Sequence, residues 1–155
     1  MIHPALAHFA IVLPIVTLVF ALIYLIKRNE KMSQVAAYVL IVAAVAMGLA
    51  WYTGSQAGPD VYPLLSDEGQ KTLLEHKGYG LYLFVAMAVA AVIMFFGYQK
   101  KKFLAEVAAT VVLFLASGVT LYQGSLGGKL VYQYGAGVEN YSDGMDCLEE
   151  MYEEE

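Results

Sequence analysis

ALAHFAIVLPIVTLVFALIYLI, residues 5–26, is the stretch on which the reading of the fold turns. It contains no Asp, Glu, Lys or Arg. Its length is close to the ~20 apolar residues that carry a helix across the hydrocarbon core of a bilayer. Pro4 precedes it, at a place where a missing N–H costs a helix nothing, so the helix is expected to begin near residue 4. Lys27 and Arg28 close it. With no basic residue before the run and no small-residue cleavage site after it, a retained span is expected rather than a signal peptide. Pro14 should bend this helix by freeing a carbonyl. One residue is out of keeping: His8, an imidazole a turn or so inside the run.

Three further runs resemble the first, at about 35–53, 79–98 and 103–123. Apolar residues make up 59% of the 155-residue chain and charged residues 15%, too little polar surface for a water-soluble domain. The expected fold class is therefore all-α integral membrane. It is a four-helix transmembrane bundle over residues 1–126, followed by an acidic tail over 127–155. Six of the nine Lys and Arg residues lie in two short loops, as Lys27, Arg28 and Lys31, then Lys100, Lys101 and Lys102. The positive-inside rule puts both loops in the cytoplasm. In a bacterial inner membrane, the N-terminus, the 54–78 loop and the C-terminal tail would then face the periplasm. His3, His8 and His76 would share that outer side. Within the loop, 66–76 reads as a short interfacial helix. In the tail, 130–134 alternates like a short extended piece.

The chain also repeats itself. Residues 48–58, GLAWYTGSQAG, and 118–128, GVTLYQGSLGG, share Gly48/Gly118, Tyr52/Tyr122, Gly54/Gly124, Ser55/Ser125 and Gly58/Gly128 at an offset of 70. His8 and His76 are 68 apart. Two helical hairpins of the same topology are expected, related by a pseudo-two-fold along the membrane normal. Such an axis would bring His8 and His76 together at the bundle centre. Gly48, Gly118 and Gly80 would leave room beside them, and Tyr52, Tyr122 and Trp51 would line the edge.

Three uses fit that expectation. A haem b with His8 and His76 as axial ligands would have no open position and would serve electron transfer rather than oxygen chemistry. Lys71, Lys77 or Lys129 would lie near its propionates. A bare copper or zinc ion could instead use His3, His8 and His76, with Glu75 as a further ligand. Third, the histidines could be interfacial anchors on a non-catalytic subunit that docks a partner on its periplasmic face, with no cofactor. His3, at the chain start, fits the anchor role best. An electron-transfer or accessory subunit is expected rather than an enzyme.

Other residues narrow the field. Glu139, Asp143, Asp146, Glu149, Glu150, Glu153, Glu154 and Glu155 make the tail acidic: either a solvated end or a docking surface for a basic partner such as a periplasmic redox protein. Nucleic acid is disfavoured, because an acidic tail repels phosphate. Cys147 is the only cysteine, so no internal disulfide can form, and without C-x-x-C-H no covalent c-type haem is expected. Met145, Cys147 and Met151 are either copper(I) ligands or chance sulfur residues. Glu106 is expected to pair with Lys102 at the boundary. Thr17, Thr110, Ser117 and Thr120 can bond to carbonyls of their own helices. No chain of carboxylates crosses the spans, so a proton-driven transporter is not supported.

HPxxxHF at 3–9, TGxxAG at 53–58, LxxHxxxG around 73–80 and GGKLVYQYGAGV at 127–138 resemble an uncharacterised bacterial family of small four-helix membrane proteins, a domain of unknown function. The resemblance covers nearly the whole chain, and GGxLVYxxGxGV is its most specific part. It implies a four-span membrane domain, sometimes beside or fused to cytochrome-like modules, and so leans towards redox. In that family the last segment often carries a histidine where this chain has Tyr134. With three histidines, at most one bis-histidine haem can be built here.

Overall fold

The computed structural model describes residues 2–138. It contains four long helices, α1 (His3–Lys27), α2 (Glu30–Val61), α3 (Asp67–Lys100) and α4 (Phe103–Tyr132), with a 3-10 turn (Tyr62–Leu64) between α2 and α3. Each helix is long and apolar enough to cross a membrane. Neighbours in sequence pack together and α4 closes on α1, so α1 faces α3 and α2 faces α4 across the diagonals. The outer surface is apolar, as lipid contact requires: Val12, Val45, Val92 and Phe114 are each more than half exposed.

The helices run further than their apolar cores. At about 1.5 Å per residue, the 32, 34 and 30 residues of α2, α3 and α4 span roughly 45–51 Å, well beyond the hydrocarbon thickness. The expected 54–78 loop is therefore mostly helix. Residues 66–76 are not a separate interfacial helix, because Ser66 caps α3 by accepting from the Gly69 N–H and the helix continues without a break. Nor is 130–134 an extended piece, since α4 continues to Tyr132. Gly54, Gly58, Pro59, Gly127 and Gly128 mimic loop chemistry but lie inside helices. Pro59 falls in the last turn of α2, where little of the ladder remains to be interrupted.

The end of the bundle away from His3 is closed by two tight turns. Arg28 and Lys101 both take the left-handed conformation, at φ 54° and 52°, ending α1 and α3. Asn29 then caps α2 by accepting from the Lys31 N–H at 2.9 Å. The Arg28 guanidinium lies 3.3 Å above the centre of the Phe103 ring, and Lys101 Nζ meets Glu30 Oε1 at 3.0 Å.

These turns reveal the true internal repeat. Arg28 and Lys101 lie 73 positions apart, and so do the ends of α1 and α3, Lys27 and Lys100. The same shift relates the starts of α2 and α4, Glu30 and Phe103. It also carries one buried stripe onto the other. Ala10, Pro14, Thr17, Ala21 and Tyr24 of α1 map onto Leu83, Met87, Ala90, Met94 and Gly97 of α3. Ala36, Ala37, Leu40, Ala43, Ala44 and Met47 of α2 map onto Ala109, Thr110, Leu113, Ala116, Ser117 and Thr120 of α4. The expected pair of parallel hairpins is present, but its offset is 73, not the 70 suggested by the glycine-rich identities.

The core is built from small residues. Within lipid, apolar burial gives helices little reason to associate, and close van der Waals contact must do it instead. Alanines supply that contact, and the larger Leu40, Leu113, Met87 and Met94 are fully buried among them. Thr17, Thr110, Ser117 and Thr120 each return their hydroxyl to the carbonyl four residues earlier, so they cross the core without an unmet donor.

Candidate functional site

At the N-terminal end of α1, two imidazoles meet across the α1–α3 diagonal. The rings of His3 and His76 have centroids 6.3 Å apart and stand nearly perpendicular, at 88°. His3 reaches this place because it continues the buried stripe of Ala10, Pro14 and Thr17 by one further heptad step. His76 does the same for Gly80 and Leu83 on α3. The two histidines are themselves 73 apart, so they are equivalent in the repeat.

Each histidine is bonded by the other helix of its own hairpin, His3 through its ring and His76 through its main chain. His3 Nδ1 donates to the carbonyl of Ala50 at 2.8 Å, with Thr53 Oγ1 at 3.4 Å from the same nitrogen. A carbonyl only accepts, so the His3 proton sits on Nδ1 and Nε2 keeps its lone pair. On the other side, Gln123 Nε2 donates to the His76 carbonyl at 2.7 Å. Ala50 and Gln123 are again 73 apart. Glycine faces each ring. A Cβ on Gly54 would stand 2.7 Å from His3 Cε1, and one on Gly127 would stand 3.2 Å from His76 Cε1. These two glycines also differ by 73.

The polar groups at this end are not all satisfied. Among the described residues, four side-chain polar atoms are buried without a hydrogen-bond partner: Trp51 Nε1, Ser55 Oγ, His76 Nδ1 and Gln123 Oε1. All four belong to this end of the bundle. Buried polar groups normally find partners, and these four exceptions gather at one end of the bundle.

The expected pairing of His8 with His76 does not occur. His8 lies five residues after His3, about 140° around the helix. That turns it to the exposed face of α1, where its Nδ1 bonds the Pro4 carbonyl at 2.7 Å. The histidine that meets His76 is His3, which had been read as the surface anchor. The glycines and tyrosines also redistribute. Gly48 admits the Phe84 ring, since a Cβ there would stand 2.7 Å from Phe84 Cε2. Gly118 is exposed and faces open space. Gly80 is buried beside Trp51 and Gln123, one turn from His76. Tyr52 and Tyr122 are about half exposed, and Tyr122 packs edge-on to Tyr79 at 5.4 Å. Trp51 stacks on Phe84 with 6.2 Å between centroids. Glu75 is exposed, and no group of three His, Cys, Asp or Glu able to hold a metal converges among the described residues. The acidic run from Glu139, with Met145, Cys147 and Met151, lies outside the described residues.

A second buried polar cluster occupies the basic end. Glu106 is 2% exposed and accepts from Tyr24 OH at 3.0 Å and from Ser33 OH at 2.5 Å. Gly97 makes room for it, since a Cβ there would stand 2.6 Å from Glu106 Cγ. The expected Glu106–Lys102 ion pair does not form. Lys102 precedes the first turn of α4 with non-helical backbone and is exposed, whereas Glu106 lies on the buried stripe. A cavity of about 320 Å³ opens beside it, lined by Tyr24, Arg28, Glu30, Ser33, Tyr98, Lys101 and Glu106.

Fold and helices define a small polytopic membrane protein, a four-helix bundle carrying paired histidines at one end. Residues 1–140 match the family model described as "Predicted membrane protein (DUF2231)", and the chain belongs to that family. No curated protein and no solved structure matches it.

Proposed function

We propose that the protein is a membrane-anchored electron-transfer subunit that holds one haem b between His3 and His76. The observation that carries this reading is the ring geometry. Two imidazoles bonded to one metal atom at about 2 Å each have ring centres roughly 6 Å apart, and these centroids are 6.3 Å apart on the bundle axis. The bond from His3 Nδ1 to a backbone carbonyl is the outer-sphere contact that orients a ligating imidazole and leaves Nε2 for the metal. The residues present also fit a flat group. Small residues flank the rings, Gly54 on α2 against His3 and Gly127 on α4 against His76. An iron with two imidazole ligands has no open position and passes single electrons. A bare copper or zinc ion is less well served, because no group of three His, Cys, Asp or Glu converges among the described residues, where zinc takes at least three ligands from protein.

On this reading the basic turns face the cytoplasm, by the charge of Lys27, Arg28, Lys31, Lys100, Lys101 and Lys102. The histidine end and both termini then face the periplasm of a bacterial inner membrane. A reporter fused after Glu155 should be active only outside the cytoplasm. The acidic run 139–155 would offer a basic redox partner its docking surface.

The test is a visible spectrum of the purified protein in detergent, oxidised and then reduced. A red protein with a sharp reduced α-band is the expected result. A colourless protein that takes up no added haemin contradicts the proposal.

A further inference from the structure

We infer that Trp51 and Ser55 form a seat for a carboxylate, which, on the haem reading above, is a haem propionate. The argument begins with the four unpartnered buried atoms of the histidine end. Two of them, His76 Nδ1 and Gln123 Oε1, lie on facing residues that are joined by the bond from Gln123 Nε2 to the His76 carbonyl. The repeat makes Gln123 the equivalent of Ala50, whose main-chain carbonyl accepts from His3 Nδ1. A His76 Nδ1–H turned to the main-chain carbonyl of Gln123 would leave the second lone pair on Nε2, as in His3.

Trp51 Nε1 and Ser55 Oγ are then left without a partner. They lie four residues apart on α2, on one face of the helix. An indole N–H only donates, and a serine hydroxyl donates freely. Two buried donors on one face call for an acceptor with two oxygens. Trp51 stands at the site itself: its Cδ1, bonded to Nε1, and Gln123 Nε2 are each 3.4 Å from where a Cβ on Gly80 would be. Gly80 is one turn from His76. Ser55 is one turn closer than Trp51 to the C-terminal end of α2. The pair therefore runs from beside the imidazoles towards the mouth of the bundle, the course a propionate takes from the edge of a ring held between them. Charge-assisted bonds from N–H and O–H donors stabilise a carboxylate at that depth.

The experiment compares two probes, iron protoporphyrin IX and its dimethyl ester, in which both carboxylates are blocked. Each is titrated into the apoprotein in detergent and followed by the Soret band. The wild type should bind the free acid roughly tenfold or more tightly than the ester, from charge-assisted hydrogen bonds. Trp51→Phe keeps the stack on Phe84 and removes only the N–H, and Ser55→Ala removes the hydroxyl. With each protein's own ester affinity as the baseline, each variant should lose most of the preference for the free acid. Equal affinity for the two probes in the wild type, or a preference that survives both substitutions, overturns the inference and leaves the two donors to bound water. Failure of the wild type to bind either probe overturns the haem reading itself.

Discussion

The two ends of the bundle descend from one repeat, yet they treat buried polar groups in opposite ways. At the basic end, the Glu106 carboxylate receives one hydroxyl on each oxygen, from Tyr24 of α1 and Ser33 of α2. The cluster joins three helices and leaves none of its own side-chain oxygens among the unpartnered atoms. At the histidine end, Trp51, Ser55, His76 and Gln123 each leave a buried atom unpaired. A buried polar network that is complete fixes one arrangement of helices, while an incomplete one is costly unless something fills it. The basic end therefore acts as a brace, and the histidine end is where the proposed reading puts the cofactor.

That contrast can be broken first at the brace. Glu106→Ala strands two buried hydroxyls and empties the space that Gly97 was shaped to accept. It should lower stability by about 2–4 kcal/mol, the range for cutting a buried network at its shared acceptor. Unfolding of the detergent-solubilised protein measures this. A loss below about 0.5 kcal/mol, within the usual range for surface changes, would mean that the cluster braces nothing. Haem binding by the folded fraction should be unaltered, because the change lies at the far end from His3.

Gly54→Ala and Gly97→Ala sharpen the comparison. Each places a Cβ within 2.7 Å of a neighbour, His3 Cε1 in one case and Glu106 Cγ in the other. Both should cost about 1–3 kcal/mol of stability as overpacking. On the proposed reading, only Gly54→Ala should also weaken haem binding, since only there would the displaced group be a haem ligand. Equal loss of haem in both variants would show that general loosening, not the ring position, is responsible. The smallest effect is expected at the surface of the brace. Lys101 and Glu30 are each about three-quarters exposed, so Glu30→Gln should change stability by less than about 0.5 kcal/mol. A larger loss in the same melting assay would give that ion pair a role its exposure denies.

Much of the fold was legible in the sequence, and one error of register obscured the site. The four spans follow from apolar runs, and the basic turns from Lys27, Arg28 and Lys100, Lys101 and Lys102. The existence of a repeat was also legible, but its offset was misread. Identical glycines and the shared Tyr-x-Gly-Ser drew the alignment to 70, three residues short of the structural 73. Those identities include exposed positions such as Tyr52 and Gly118, where lipid tolerates many residues. Many equivalent buried positions differ, Ala10 from Leu83, Tyr24 from Gly97 and Ser33 from Glu106, and those that agree, such as Ala36 and Ala109 or Leu40 and Leu113, are residues common throughout the spans. Identity alone is therefore a weak guide, whereas the spacing of buried positions is a strong one. Read at 73, the partner of His76 is His3, and Gly54 aligns with Gly127. His3 reads as an interfacial anchor, and only secondarily as a metal ligand, because it stands ahead of the apolar run, although the 3–4 spacing of Ala10, Pro14, Thr17, Ala21 and Tyr24 points back to it.

The central claim is that His3 and His76, not His8, form the pair that serves this protein, and one set of reduced visible spectra tests it most directly. The wild type, His3→Ala, His76→Ala and His8→Ala proteins are purified in parallel, with haem content read from the α-band per mole of protein. The account predicts that either His3→Ala or His76→Ala loses most of the haem, that the double variant loses little more because the two ligands act as one unit, and that His8→Ala retains it. Retention in His3→Ala with loss in His8→Ala would contradict the account and return the pairing to position 8.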